Sequence, residues 1–570
     1  MDSEAGVQGP SEGSADTTPG TSGASSQGKV GPSTKKAPLK RKSSVSTGAK
    51  AKKRKKAKVN RPARLGYTVQ EGEDMLLVIS NTNQYDNLAW RPKKKGTRKK
   101  KLTKGKAKAN QTKKKKTVAA KPKVANNPPI KKVADAALHQ PERSTDHRWG
   151  HSLPEEVLVN IFQMVVFQDG AVPFLCRMAR VCQLWNAAAS SPGLWRRVSV
   201  GFCWIEPGKT QLPKTEMKIK DTVNWLAQNR FSQLRDFSLC HWKKNVDYAV
   251  EVVSQSCPHL RSLTLSYCTG VTEKTFQSLG GNSRSLESIN VQYSEFQAEG
   301  LVAFLESSGS QIRQILFTHG PKNDRLLAAI SRGCCPDLEL LEINTKLDSG
   351  YCQLPICIQG LQSGCPKLKT FRMLNVIPMH KVMRNGPDST SGFPLLEELC
   401  MATTSVSFMT DKDLRDILFG STKLRVLDLR GCSRITPSGL ATLPCVELEC
   451  LFWGQYFNSK VALSSPKKGL HMLTEKWSGT LQQLDITNHL FTEEDLEIAM
   501  SYLAQATNAE SLRSLNLSGT KITPPALRLV IGQLTALSYL NLSSCRYLPR
   551  GLKRVYRGQE DIRQLLDKLE

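Results

Sequence analysis

The 570-residue sequence contains no run of eighteen apolar residues, so it offers no helix able to span a bilayer. Its first residues, Met1-Asp2-Ser3-Glu4, open no apolar stretch of the kind a secretory signal requires. None of its sixteen cysteines precedes Cys176, and no two have the C-x-x-C spacing that closes a tetrahedral zinc site. A zinc ribbon or RING-type module is thereby excluded, no metal or cofactor is expected, and the cysteines are expected as free thiols in a reducing compartment. Aromatics make up only 6% of the chain, and Tyr67, Tyr85 and Trp90 are the only ones in the first 148 residues. Base stacking, on which binding of single-stranded nucleic acid leans, is therefore disfavoured there. No nucleophilic cysteine is matched with a histidine, and no phosphate-cradling glycines surround the lysine clusters.

Basic charge is plentiful, and it is unevenly placed. Residues 1–148 hold 36 Lys/Arg and 11 Asp/Glu, a balance of 36 − 11 = +25, whereas the remaining 81 − 36 = 45 Lys/Arg and 50 − 11 = 39 Asp/Glu leave only +6. Residues 1–147 are rich in Ser, Gly, Thr, Pro and Lys and have too little apolar area to offset the entropy of ordering, so they are expected as a disordered tail. The apolar residues 75–79 interrupt it as a short strand or docking peptide that would not be stable alone. The cluster Lys52, Lys53, Arg54, Lys55 and Lys56 reads as a contact for an import receptor, with weak nonspecific nucleic-acid contact as companion reading and a solvated linker as the plain one. The first reading places the protein in the nucleus, nucleolus included, and in the cytoplasm.

From Trp149 the pattern becomes helical. Leu153, Val157, Leu158, Ile161, Phe162, Val165 and Val166 recur at steps of three and four, one apolar face, after Ser152 as N-cap and with Pro154, Glu155 and Glu156 in the first turn. A second apolar stretch runs over 174–185, and a third helix or turn ends near Trp195, giving a small three-helix module over 148–200.

The rest of the chain repeats. The first leucine of an L-x-x-L-x-L unit stands at Leu234, Leu260, Leu286, Ile312 and Leu338, with twenty-six residues between successive starts, and the series continues at Leu368, Leu396, Leu424, Leu448, Leu481, Leu512 and Leu537. After a linker over 201–230, about twelve units therefore fill 231–555, and 556–570 is left as a terminal helix or cap. Each L-x-L makes a short parallel strand with its leucines inward and a helix behind it. The expected fold class is α/β, a leucine-rich-repeat solenoid or horseshoe behind the three-helix module. Cys268, Cys432 and Cys545 share one repeat position, where a small, nearly apolar side chain suits the interior.

The helical stretch, through Leu153, Pro154, Glu156, Ile161, Phe162, Val181, Cys182, Trp185, Pro192, Leu194 and Trp195, resembles the F-box pattern over about fifty residues. With the repeats behind it, residues 149–550 resemble the F-box/leucine-rich-repeat family. That resemblance implies a non-catalytic substrate receptor of a Skp-cullin-F-box ubiquitin ligase. Leu153, Pro154, Glu156, Ile161, Phe162, Val181, Cys182, Trp185, Leu194 and Trp195 would bind the Skp-type adaptor, cullin and RING subunits would join indirectly, and the repeats would hold a protein substrate. Leu153, Pro154, Ile161, Phe162 and Trp185 can equally be the core of the module, with Leu153 and Pro154 better placed for contact than Phe162 and Trp185, and Glu156 reads as a helix-dipole residue.

On the concave face, alternation sets out a polar column that needs no function as a solvated surface; its substrate-facing candidates are Arg372, Asp428, Arg430 and Asp485, with Phe452 and Tyr456 as aromatic anchors. Packing of Trp453 and its aromatic neighbours under a long loop is the alternative. His380, in the insertion 375–393, has no partner at metal spacing and reads as a surface residue.

Overall fold

The computed structural model describes residues 153–569 apart from 202–212, 321–322, 346–352, 381–391, 405–406, 408, 456–466 and 507–509, together with the backbone of two short strands in the basic region. The lysine cluster 52–56 and nearly all of the expected tail lie outside the described residues. Within that region, Leu77–Ser80 pairs antiparallel with Thr68–Glu71, Val69 opposite Ile79. The apolar run thus has a strand partner that the sequence reading did not supply.

Three helices open the main body: α1 (Glu155–Asp169), α2 (Phe174–Met178) and α3 (Gln183–Ser190). Helix α1 starts at Glu155, with Pro154 in the cap position and no side-chain cap bond, so the expected cap at Ser152 is replaced by proline stereochemistry and two acidic residues in the first turn. Phe162 of α1 packs edge-on against Phe174 at 5.5 Å and Trp185 at 5.4 Å, geometries that aromatic quadrupoles favour. A 3-10 turn, Pro192–Trp195, closes the module, and the Trp195 indole N–H donates to the Ala189 carbonyl at 2.8 Å.

The sheet begins at once after this module, and the stretch 201–230 expected as a linker holds a helix, Pro213–Asn229, that buries Ile219, Val223 and Leu226 before the first repeat strand. Arg197–Val200 lies parallel to Asp236–Cys240 and begins a sheet of fourteen strands. Twelve are repeat strands, each starting two residues after its leucine of the series, from Asp236–Cys240 to Tyr539–Asn541. The last, Val555–Arg557, turns back antiparallel, and the helix Gln559–Leu569 packs Ile562, Leu565 and Leu569 inward. The antiparallel strand, with the helix packed against it, caps the stack at this end.

Each repeat is tied to the next through backbone. The carbonyl just before one strand accepts two N–H groups from the next repeat, as Arg235 does from Arg261 and Ser262, and Glu287 from Arg313 and Gln314. The repeat cysteines are explained by the same accounting: Cys268, Cys432 and Cys545 donate their S–H to the carbonyls of Leu239, Met401 and Leu517 in the preceding repeat, at 3.4, 3.5 and 3.1 Å. Acidic residues at helix starts do the equivalent work behind the sheet. Asp247 accepts from the Thr272 N–H and from the Thr272 and Thr275 hydroxyls, so the beginning of one helix caps the next. The described cysteines are all free thiols. Among the described residues, no helix is long and apolar enough to cross a membrane.

Candidate functional site

Helix α1 carries apolar residues on two faces. Leu158 and Phe162 point into the module, whereas Val157, Ile161, Met164 and Phe167, at steps of four, three and three, form an exposed stripe. Met164 is 72% and Phe167 82% exposed, and Val181, in the turn before α3, is exposed as well. An apolar row of this kind on a packed helix is the mark of a surface made to be covered.

The adaptor-facing candidates divide accordingly. Pro154, Glu156, Ile161 and Val181 are exposed, and Leu153, Cys182 and Trp185 are half-buried. Phe162, Leu194 and Trp195 are core residues of the module rather than contact residues, because their side chains are enclosed by α2, α3 and the first solenoid strands. Val157, Met164 and Phe167 were not singled out from the sequence as contacts; the signal that finds them is their position on the helical wheel opposite Leu158 and Phe162.

The second candidate surface is the concave face. Strand register places Glu342, Arg372, Cys400, Asp428, Phe452, Asp485, Asn516 and Asn541 side by side at one level. At its ends the column is half-buried, as at Thr264, Asn290, Asn516 and Asn541. In its middle it is not the solvated face expected. Arg372, 4% exposed, donates through Nε and Nη2 to both oxygens of Glu398 at 2.7 and 2.9 Å, and through Nη1 to Glu342 at 3.3 Å. Gln292 adds a bond to the other Glu342 oxygen at 2.6 Å. Asp428 is fully buried, accepts from Arg430 Nε at 2.9 Å and Nη2 at 2.6 Å, and takes the Cys400 S–H at 3.4 Å. The Arg430 guanidinium also lies 5.0 Å from the centre of the Phe452 ring.

Arg372, Asp428, Arg430 and Phe452 are therefore corrected from open substrate contacts to members of a buried, internally paired cluster. Charges taken this far from water persist only when paired and hydrogen-bonded, and each of these charges has such partners. Asp485 is the half-buried member. Burial pushes its carboxyl upward, against the opposing pull of Arg430 and of the Thr487 hydroxyl and N–H. Trp453 points the other way, into the core beside His489 and Phe491, so it forms no cluster with Phe452; Tyr456 and Phe457 lie outside the described residues. The segment carrying His380 is a strand, Ile377–His380, parallel to Gln353–Ile356, rather than part of an irregular loop.

A third feature, passed over in the sequence, runs along the rim where the strands begin. From the second repeat to the ninth, the residue after the first leucine is Arg261, Glu287, Arg313, Glu339, Lys369, Glu397, Arg425 and Glu449, alternating in sign, whereas the first repeat places Arg235 beside Arg261. Glu339 is paired on both sides, to Arg313 at 3.2 Å and Lys369 at 3.0 Å, and Arg425 is paired with Glu449. With four charges of each sign, the alternating stretch sums to zero and presents little net field to a charged partner.

Comparison with known proteins agrees with this architecture. A family model described as F-box-like matches residues 151–200, and one described as Leucine Rich repeat matches residues 420–443. The chain is 24% identical over 260 residues to F-box/LRR-repeat protein 5 of Danio rerio, covering 41% of this chain and 32% of that protein. It is 28% identical over 144 residues to Lysine-specific demethylase 2B of Mus musculus, covering 23% of this chain and 10% of that protein. The matches thus span about a third or less of these curated relatives. Among solved structures, a chain of the Rad7 and Elc1 complex in yeast aligns with a TM-score of 0.40 at 15% identity, covering 73% of this chain and 85% of that one. A chain of the mouse RP105/MD-1 complex aligns with a TM-score of 0.32 at 15% identity, covering 55% and 47%. The fold is an F-box followed by a leucine-rich-repeat solenoid.

Proposed function

We propose that this chain is the substrate-recognition subunit of a Skp-cullin-F-box type ubiquitin ligase. The observation that carries the reading is the exposed stripe of Val157, Ile161, Met164 and Phe167 on an F-box joined to the solenoid through continuous sheet. Scaled by their exposure, covering these four side chains is worth about 3–7 kcal/mol before the costs of association. A Skp-type adaptor is the partner that an F-box of this pattern implies; Leu153, Pro154, Glu156, Val181 and Cys182 border the same contact. Cullin and RING subunits join indirectly, and catalysis belongs to them. The solenoid holds the protein to be modified, through the half-buried polar residues flanking the central cluster, and acts by raising effective concentration rather than by chemistry. Proteasomal degradation of the target is the expected consequence.

The test is capture of adaptor and cullin from cells by the full chain. A Met164→Glu, Phe167→Glu double variant changes only exposed positions, so it should keep its melting temperature and lose both proteins; unchanged capture would overturn the proposal.

The +25 balance of residues 1–148 supports a second activity, a nuclear scaffold associating with RNA, with import through Lys52–Lys56. RNA capture through several phosphates falls steeply with added salt, while the apolar adaptor contact hardly changes. Removing residues 1–147 should abolish the first and spare the second.

A further inference from the structure

Five residues before each strand, the repeats turn inward. That position is Cys257, Ser283, Gly309, Cys335 and Cys365 in successive repeats, and its cysteines are buried structural thiols. The residue before it is Ser256, Asn282, Ser308, Cys334 and Gly364, so one repeat alone in this series sets a second cysteine directly ahead of the structural one. Cys334 is half-buried beside the ion pair of Arg332 and Glu306, and its sulfur lies 3.6 Å from that of Cys335. Room for the pair comes from Gly309, whose missing Cβ would run into the Cys334 carbonyl and lie 3.0 Å from the Cys335 sulfur.

The separation selects the chemistry. A disulfide needs sulfurs about 2.05 Å apart, so closing one here requires a contraction of about 1.5 Å between adjacent residues. Two thiolates held about 2.3 Å from one soft atom, at angles of about 90–110°, stand about 3.3–3.8 Å apart, which is the spacing already present. No group of three or more metal-ligating side chains occurs among the described residues, so a four-coordinate ion would find half its ligands missing. A centre that takes two sulfurs and keeps a substituent of its own does not. We propose that Cys334 and Cys335 form a vicinal dithiol site that captures a soft, thiophilic centre of the trivalent organoarsenical class across both sulfurs. Cys334 is the entry point, being the more accessible of the two: the sulfur–sulfur contact holds its thiol below the ordinary range, while the same contact and then burial push Cys335 up. With an arsenoxide, two As–S bonds form, the arsenic-bound oxygen leaves with both thiol protons as one water, and no oxidation state changes.

The probe is phenylarsine oxide on the full chain, read by intact mass and by peptide mapping. One adduct per chain is expected at 334–335, resistant to excess glutathione and released by dithiothreitol. Cys334→Ser, nearly isosteric at a half-buried position, should remove the adduct with little change in the melting curve. Cys335→Ala should convert it to one that glutathione strips, and Cys176→Ser, remote from the pair, should leave it. An adduct that persists in Cys334→Ser, or that glutathione removes from the parent as fast as dithiothreitol, would overturn the assignment.

Discussion

Replacing Arg372 with methionine separates a structural from a binding role for the concave cluster. The substitution keeps most of the apolar stem and deletes the guanidinium, leaving Glu398 and Glu342, 1% and 7% exposed, without the cation that bridges them. Breaking a buried ion pair by removing one partner costs about 3–5 kcal/mol, because the remaining charge is stranded. For roughly 400 residues melting together, the unfolding entropy is about 0.85 kcal/mol/K, so the midpoint should fall by about 4–6 °C. Adding Glu342→Gln and Glu398→Gln removes the stranded charges and should recover most of that loss. Thermal unfolding followed by circular dichroism reads both variants. A methionine variant melting within a degree of the parent would mean that water reaches the cluster and that Arg372 is available to a partner after all.

Other expectations follow from single sites. His489 is pushed down to about 3, chiefly by burial and then by the nearby Lys467 charge, against the Trp453 carbonyl it contacts. Its folded value lies below its unfolded one near 6.5, so its contribution is complete above that pH and is lost as pH falls toward 3, by about 1.4 kcal/mol per pH unit; His489→Gln should flatten that limb in melting curves taken across the range. Phe162→Ala, which removes both edge-on aromatic contacts, should cost about 3–5 kcal/mol and abolish adaptor capture through loss of the module's fold, visible as a changed protease digestion pattern. Thr410→Ala breaks a reciprocal cap with Asp413 and should cost about 1 kcal/mol in urea unfolding. Glu339→Gln, on the exposed rim, should cost under about 1 kcal/mol, and less again in high salt.

The repeats are legible because each unit must bury the same leucine at the same phase, and a strand follows two residues later even where spacing wanders, as between Leu448 and Leu481. The terminal strands were not legible: Arg197–Val200 and Val555–Arg557 carry no leucine pattern and pair because a neighbour's edge is offered to them. In α1, a count of apolar residues merges two faces that only the wheel angle separates, which is why Ile161 and Phe162, adjacent in sequence, have opposite roles. On the concave face, alternation gives the side of the sheet but not its exposure. Arg372 looks like a binding residue until the positions of Glu342 and Glu398, thirty residues before and twenty-six after, are set beside it.

The alternating rim gives the array a parity. Deleting one repeat between Arg261 and Glu449, or duplicating one, would set two like charges abreast on neighbouring strands, while changing the number by two would restore the order. Engineered shortening or lengthening within that stretch should therefore succeed more readily in even steps, with a phase error in every odd one.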